Sequence, residues 1–176
     1  MTAPAVTEAP AITPAWVRTM AGYNAEMNRR VYTAAGRLDE AERRRDRGAF
    51  FGSIHATLNH LLWADQMWMS RFAGWEKPMV GMREGLETRA AFADLRAARV
   101  ETDGRIGAWA DGLDEAWLRG DLTWFSGVTQ TDVTRSRALL VTHMFNHQTH
   151  HRGQIHAMLT AAGERTGDTD LWIVAV

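Results

Sequence analysis

Apolar residues recur along this chain mainly at helical spacing. Thr13-Pro14 supplies a capping hydroxyl, then proline at a first helical position, where its missing N–H leaves no hydrogen bond unmade. Trp16, Met20, Tyr23, Met27 and Val31 follow at steps of 4, 3, 4 and 4, which predicts an amphipathic helix ending near Gly36. Ile54, Leu58, Leu61, Trp68 and Phe72 predict a second helix from about Phe51 to Phe72. Asp65 falls inside that stripe, and an acid buried there needs a partner. His60 lies at the stripe's edge, where it can face a cleft between helices. His55 lies on the other flank and reads as surface. Phe92, Leu95, Arg99, Thr102, Ile106, Trp109 and Leu113 share one face of a third helix, capped by Thr88 and reaching about Leu118. The middle of that face is polar, and Gly104, Gly107 and Gly112 weaken the helix, so a kink or thin packing is expected there. A fourth helix is predicted from about Arg135 to Ala162, with Gly163 just past its end.

Between these helices the pattern changes. Residues 1–12 hold two of the four prolines and read as a flexible arm. The charge run LDEAERRRDRG after Gly36 reads as a solvated connection with room for a short helical turn. A phosphate site built on Arg43, Arg44 and Arg45 is the less ordinary alternative. Gly74 to Gly85 forms a loop whose Trp75, Met79 and Met82 either cover a pocket or simply pack on the helices, the second being the commoner use of such residues. LTWF and VTQTDVT flank Ser126-Gly127 and predict a small β-hairpin. The tail DTDLWIVAV is apolar enough to be expected to dock. Together these features predict an all-α protein, a four-helix bundle with a small β-hairpin before the last long helix. Residues 13–176 are expected to form a single domain after the arm.

Composition narrows the function. Twenty basic residues face 21 acidic ones, a net charge of −1 that argues against a broad nucleic-acid footprint. There is no cysteine, which excludes disulfides, thiolate metal sites and a cysteine nucleophile, and is compatible with a reducing cytoplasm. MTAPAVTEAP lacks a basic region and a long apolar core, so no signal peptide is expected. No apolar run approaches the roughly 20 residues of a membrane span.

Chemistry concentrates in HMFNHQTHHRGQ, residues 143–154, within a stretch to His156 that holds five of the seven histidines. On a helix His143, His147 and His151 form one row, each about 6 Å from the next along the axis. Two imidazoles at i and i+4 can close on one metal ion, and a third ligand must come from elsewhere. One HxxxH alone is weak, because histidines on a helix face are more often surface or satisfied core residues. Their density, and their place on the apolar stripe, strengthen the reading.

LNHLLWADQMW at 58–68 together with HMFNHQTHHRGQ at 143–154 resembles the DinB/YfiT-like family, as do AGYNAEMN near the start and the tail DTDLWIVAV. The resemblance covers almost the whole chain after the arm. It implies an up-down-down-up four-helix bundle, often a homodimer, with a divalent metal on three histidines. The motif positions here are His60, His147 and His151. That His60 meets the other two follows from the resemblance and not from spacing.

Three neutral imidazoles leave a metal at least one open position, as catalytic sites do. Zinc and nickel both suit imidazole. Relatives in the wider superfamily use a low-molecular-weight thiol such as bacillithiol, mycothiol or glutathione. The leading expectation is therefore a metal-dependent thiol-transferase-type enzyme acting on a small electrophilic substrate. The alternatives are a metal-dependent hydrolase, a non-catalytic metal- or small-ligand-binding stress protein, and a bundle whose histidines hold no metal. Asp65 is a candidate for bracing a ligand or pairing with Arg152, and Asn146 and Gln154 for lining or bracing the site. His143 reads as bracing or core in preference to a fourth ligand. Trp63, Trp68 and Trp124 read as core in preference to pocket walls.

Overall fold

The computed structural model describes residues 11–127 and 129–174. In chain order these form α1 (Pro14–Ala35), α2 (Glu40–Arg44), α3 (Ile54–Ala73), α4 (Met82–Gly85), α5 (Phe92–Asp111), α6 (Glu115–Arg119), β1 (Asp121–Ser126), β2 (Thr131–Ser136), α7 (Arg137–Ala161) and α8 (Leu171–Val174). The protein is thus mostly helical, with one small antiparallel sheet in which Trp124 pairs with Val133. The first ten residues of the expected arm lie outside the described residues; Ile12, at its end, packs against the core.

Local chemistry sets the helix ends. The Thr13 hydroxyl accepts from Trp16 N at 3.1 Å ahead of Pro14, as its sequence predicts. Ser53 and Ser136 cap α3 and α7 in the same way. Beyond α7, Gly163 takes φ +85°. Its N–H bonds Thr160 O at 3.0 Å, and Glu164 N bonds Leu159 O at 2.9 Å, the paired closure of a left-handed helix end. The expected third helix is instead two. Thr88 does not cap it; its hydroxyl donates back to Gly85 O at 3.2 Å, finishing α4. The chain turns at Gly112, and Asp114 caps a separate α6. Helix α5 runs unbroken through Gly104 and Gly107, and its polar middle is ion-paired through Arg99.

The long helices pack as α1 on α5 and α7, and α3 on α5 and α7. One apolar cluster joins Val31 and Ala35 to Ile54, Leu58, Leu95, Ile155 and Leu159. The other joins Val17 and Ala21 to Met69, Phe72, Ile106, Leu140 and Phe145. Between them lies a buried polar layer. Arg99 Nη1 reaches Asp65 Oδ2 at 2.5 Å and Arg99 Nη2 reaches Asp103 Oδ1 at 2.7 Å. Gln148 Nε2 donates to Asp65 Oδ1 at 2.8 Å. The partner of Asp65 is therefore Arg99 on α5, not Arg152, which touches the layer only through Gln148 at 3.1 Å. Burial opposes the Arg99 charge, but the carboxylates of Asp103 and Asp65 outweigh it and raise its proton affinity.

The charge run after Gly36 forms the short helical turn expected of it, α2. The guanidiniums of Arg43, Arg44 and Arg45 are taken by neighbouring acids and carbonyls, which leaves no cluster free for phosphate. In the loop after α3, Trp63 Nε1 donates to Val80 O at 3.0 Å, Arg105 lies 3.8 Å over the Trp75 ring, and Trp75 packs on the core, while Met79, 93 % exposed, sits at the edge of a pocket it lines with Trp63 and Trp75. The tail is tied to α1 by Tyr23 Oη donating to Thr169 O at 2.6 Å and Arg30 Nη1 donating to Asp168 O at 2.8 Å. It docks on α1 as expected, but its apolar side chains are only partly covered: Leu171 and Ile173 are 41 % and 42 % exposed and Trp172 is 81 % exposed. The anchors are polar, and three consecutive residues of one helical turn cannot all face α1.

Candidate metal centre

The centre arises where α3 packs on α7. His147 and His151 are one helical turn apart, so both rings stand on the face of α7 turned toward α3. His60 comes across from α3, only 3 % exposed. One ring nitrogen from each of His60, His147 and His151 lies within 4.8 Å of the other two. The Nε2 atoms of His60 and His147 are 3.2 Å apart. Two imidazole nitrogens bound to one tetrahedral ion at 2.0–2.1 Å sit about 3.3 Å apart. The spacing of this pair is close to that across a shared ion, and the donor set fits a divalent metal.

Protonation agrees. Burial, reinforced by the charge His151 would carry, pushes His60 down to about 4. Burial and the neighbouring histidines push His147 down to about 3. Burial also lowers His151, against the pull of Gln154. All three rings are neutral at neutral pH and present lone pairs. Gln154 decides which one His151 presents. Its Oε1 lies 2.9 Å from His151 Nδ1, while its Nε2 lies 3.1 Å from His150 Nε2. An amide oxygen only accepts, so His151 Nδ1 carries the proton and Nε2 is the free donor.

Phe51 was not among the residues singled out by sequence. Its ring centroid lies 4.0 Å from that of His60 and 5.3 Å from that of His151, so it covers two of the three rings. An Ala49–Gly52 bridge turns the chain just before the Ser53 cap and holds Phe51 there. The aromatic pair directly ahead of the histidine helix was the available signal. Trp63, one turn after His60, stacks at 6.2 Å beside it and borders the site, while Trp68 and Trp124 pack on the lower core.

The remaining candidates stand apart. His143 is exposed, sits edge-on to Trp68 at 5.3 Å, and is outside the ligand group. Asn146 is exposed. His55 is the opposite of its expectation: it is fully buried, because the α2 connection folds back over that flank and Arg44 Nη2 reaches its Nε2 at 3.2 Å. His156 bonds the Thr166 hydroxyl at 2.6 Å.

Fold and site together define a helical protein with a three-histidine centre able to hold a divalent ion. The model of the DinB family matches residues 11–174, and the chain belongs to that family. No curated protein matches it. No described helix is long and apolar enough to cross a membrane.

Proposed function

We propose that the chain is a metal-dependent enzyme of the thiol-transferase type, with zinc or nickel held by His60, His147 and His151. The observation that carries the reading is the convergence of three neutral imidazoles from two helices, with no fourth protein ligand grouped with them among the described residues. Such a set leaves a position for a small molecule. When bound, the ion supplies Lewis acidity that lowers the proton affinity of a thiol sulfur. The chain's own residues prepare that role. Gln154 orients the His151 ring, Phe51 shields two rings from water, and Trp63 gives the substrate an aromatic edge. The chain has no cysteine, so in this reading the sulfur comes from a low-molecular-weight thiol and attacks a small electrophile. A reducing cytoplasm is where such a thiol is maintained.

The same proposal takes residues 13–176 as one up-down-down-up four-helix bundle. The two apolar clusters support it: the C-terminal ends of α1 and α7 share one with the N-terminal ends of α3 and α5, and the opposite ends share the other. It also takes the working unit as a homodimer, which the exposed Leu171, Trp172 and Ile173 support.

Metal analysis of protein purified without a histidine tag, beside His60→Ala and His147→Ala, is the first test. Near one divalent ion per chain is expected, absent from both variants. No ion under any loading condition overturns the centre. The metal-loaded protein is then assayed for conjugation of 1-chloro-2,4-dinitrobenzene or monobromobimane with glutathione, bacillithiol and mycothiol. No transfer with any pair overturns the transferase reading and leaves a metal-binding protein.

A further inference from the structure

Helix α7 lines a second cavity, of about 290 Å³, that shares no residue with the histidine centre. Its opposite wall is α1, and the segment after α7 closes it. That segment is held down at three points: Tyr23 Oη on Thr169 O, Arg30 Nη1 on Asp168 O, and the Thr166 hydroxyl on His156 Nδ1 at 2.6 Å. The cavity is therefore a built feature of the fold and not a gap beside a loose tail. Its volume is near the lower end for small-molecule pockets, roughly 300 Å³.

The charge of its lining is one-sided. Arg30 and Arg152 line it, and no Asp or Glu does. Arg30 is already paired with Glu26 at 2.7 Å. Arg152 makes no ion pair among the described residues, although it is only 6 % exposed; its guanidinium lies 5.8 Å from the centre of the Tyr23 ring. Its Nη1 donates to Gln148 Oε1 at 3.1 Å and its Nη2 to Thr149 Oγ1 at 3.3 Å, both neutral acceptors. Of the five N–H groups of a guanidinium, the others find no protein acceptor among the described residues. Asp65, the buried acid on α3, is occupied by Arg99 and Gln148. A buried cation with no carboxylate in direct contact is costly, and a planar guanidinium fixed on two sides is pre-organised for a carboxylate fork. Met27 and Val31 supply an apolar surface beside it.

We propose that this cavity binds a small monocarboxylate with a short apolar or aromatic body. The carboxylate sits on Arg152 and the body lies against Met27 and Val31. The site is independent of the histidine centre, and its test does not require activity or metal.

The full-length protein is titrated with benzoate, with its neutral counterpart benzyl alcohol, and with inorganic phosphate, by calorimetry and thermal shift. Gly153 lines the cavity, and a Cβ built there meets nothing within 4 Å, so Gly153→Met starts a longer side chain from the cavity wall without replacing Arg152. Benzoate is expected to bind and raise Tm, and benzyl alcohol is not. Gly153→Met is expected to weaken benzoate by about tenfold or more, with Tm no lower and metal content unchanged. Equal response to benzoate and benzyl alcohol, or no response to either, overturns the site on the wild-type protein alone. Undiminished benzoate binding in Gly153→Met overturns its location. Tighter binding of phosphate than of benzoate overturns the monocarboxylate assignment.

Discussion

Gln154 would do for His151 what an outer carboxylate does in many metal sites: its Oε1 accepts from Nδ1 and leaves the Nε2 lone pair for an ion. Gln154→Ala frees the His151 ring to rotate and to exchange tautomers. Zinc affinity, measured by competition with a chromophoric chelator, is expected to fall about 10–100-fold. Unchanged affinity would mean that packing against Phe51 and His60 alone orients the ring. A second test at this scale concerns His55, which is fully buried. Burial lowers its proton affinity, Arg44 lowers it further, and Glu87 pulls the other way. Because the folded pKa lies below the unfolded one, the unfolded chain takes up the proton first as pH falls. Stability that His55 contributes above about pH 6.5 is therefore lost below it. His55→Gln keeps an acceptor for Arg44 but cannot titrate. The Tm gap between metal-free wild type and variant is expected to be widest at pH 7–8 and to shrink toward pH 5; a constant gap contradicts it. The two residues also mark what spacing can convey. The i, i+4 pair of His147 and His151 is explicit in the chain, because both residues ride on one helix. The burial of His55 is not, because it depends on a connection that returns from α2, and helical periodicity says nothing of what covers the far flank.

Among the elements, the polar layer between the apolar clusters ties α3 to α5 and α7 through a few bonds. Asp65 and Arg99 are 1 % and 2 % exposed; removing Arg99 strands the buried Asp65 carboxylate, whereas removing Asp65 leaves Arg99 its second partner, Asp103, at 2.7 Å. Arg99→Met alone is expected to destabilise by about 3–5 kcal/mol, Asp65→Leu by less because Asp103 still pairs Arg99, and the double variant by clearly less than the sum. Denaturant unfolding in a double-mutant cycle measures it; additive losses would show that the two side chains act separately. This layer accounts for the polar middle of the third predicted helix. Arg99 and Thr102 on an apolar face look like weak packing when read alone, and they become strong packing once Asp65 and Asp103 are placed opposite them. Sequence flagged that Asp65 needed a partner but not which helix brought it. The caps at Thr13 and Pro14 and the ending at Gly163 were legible because they are local. The split between α5 and α6 was also written locally, in Gly112 and the Asp114 cap, but an apolar stripe running on to Leu113 hid it.

At the scale of the whole molecule, the unresolved tension is apolar surface. The tail docks on α1 as expected, but the polar backbone at Asp168 and Thr169 takes the anchors, and Leu171, Trp172 and Ile173 are 41 %, 81 % and 42 % exposed. A tryptophan left this open, beside two aliphatic neighbours on one helical turn, is the kind of patch that a second copy of the chain covers. Its place on α8, packed on α1, would bring two such turns together without disturbing the histidine centre between α3 and α7. Sedimentation equilibrium is therefore expected to give twice the chain mass of 19.7 kDa. Trp172→Asp puts a charge into that contact and is expected to weaken dimerisation at least about tenfold, as loss of a buried aromatic anchor does. The variant's metal content should match the wild type, which separates a lost contact from a lost fold. A wild-type chain that sediments as a monomer at about 100 μM, far above the Kd expected of an interface with a buried tryptophan anchor, would remove the dimer altogether. A variant that dimerises as tightly as the wild type would keep the dimer but move its interface away from α8.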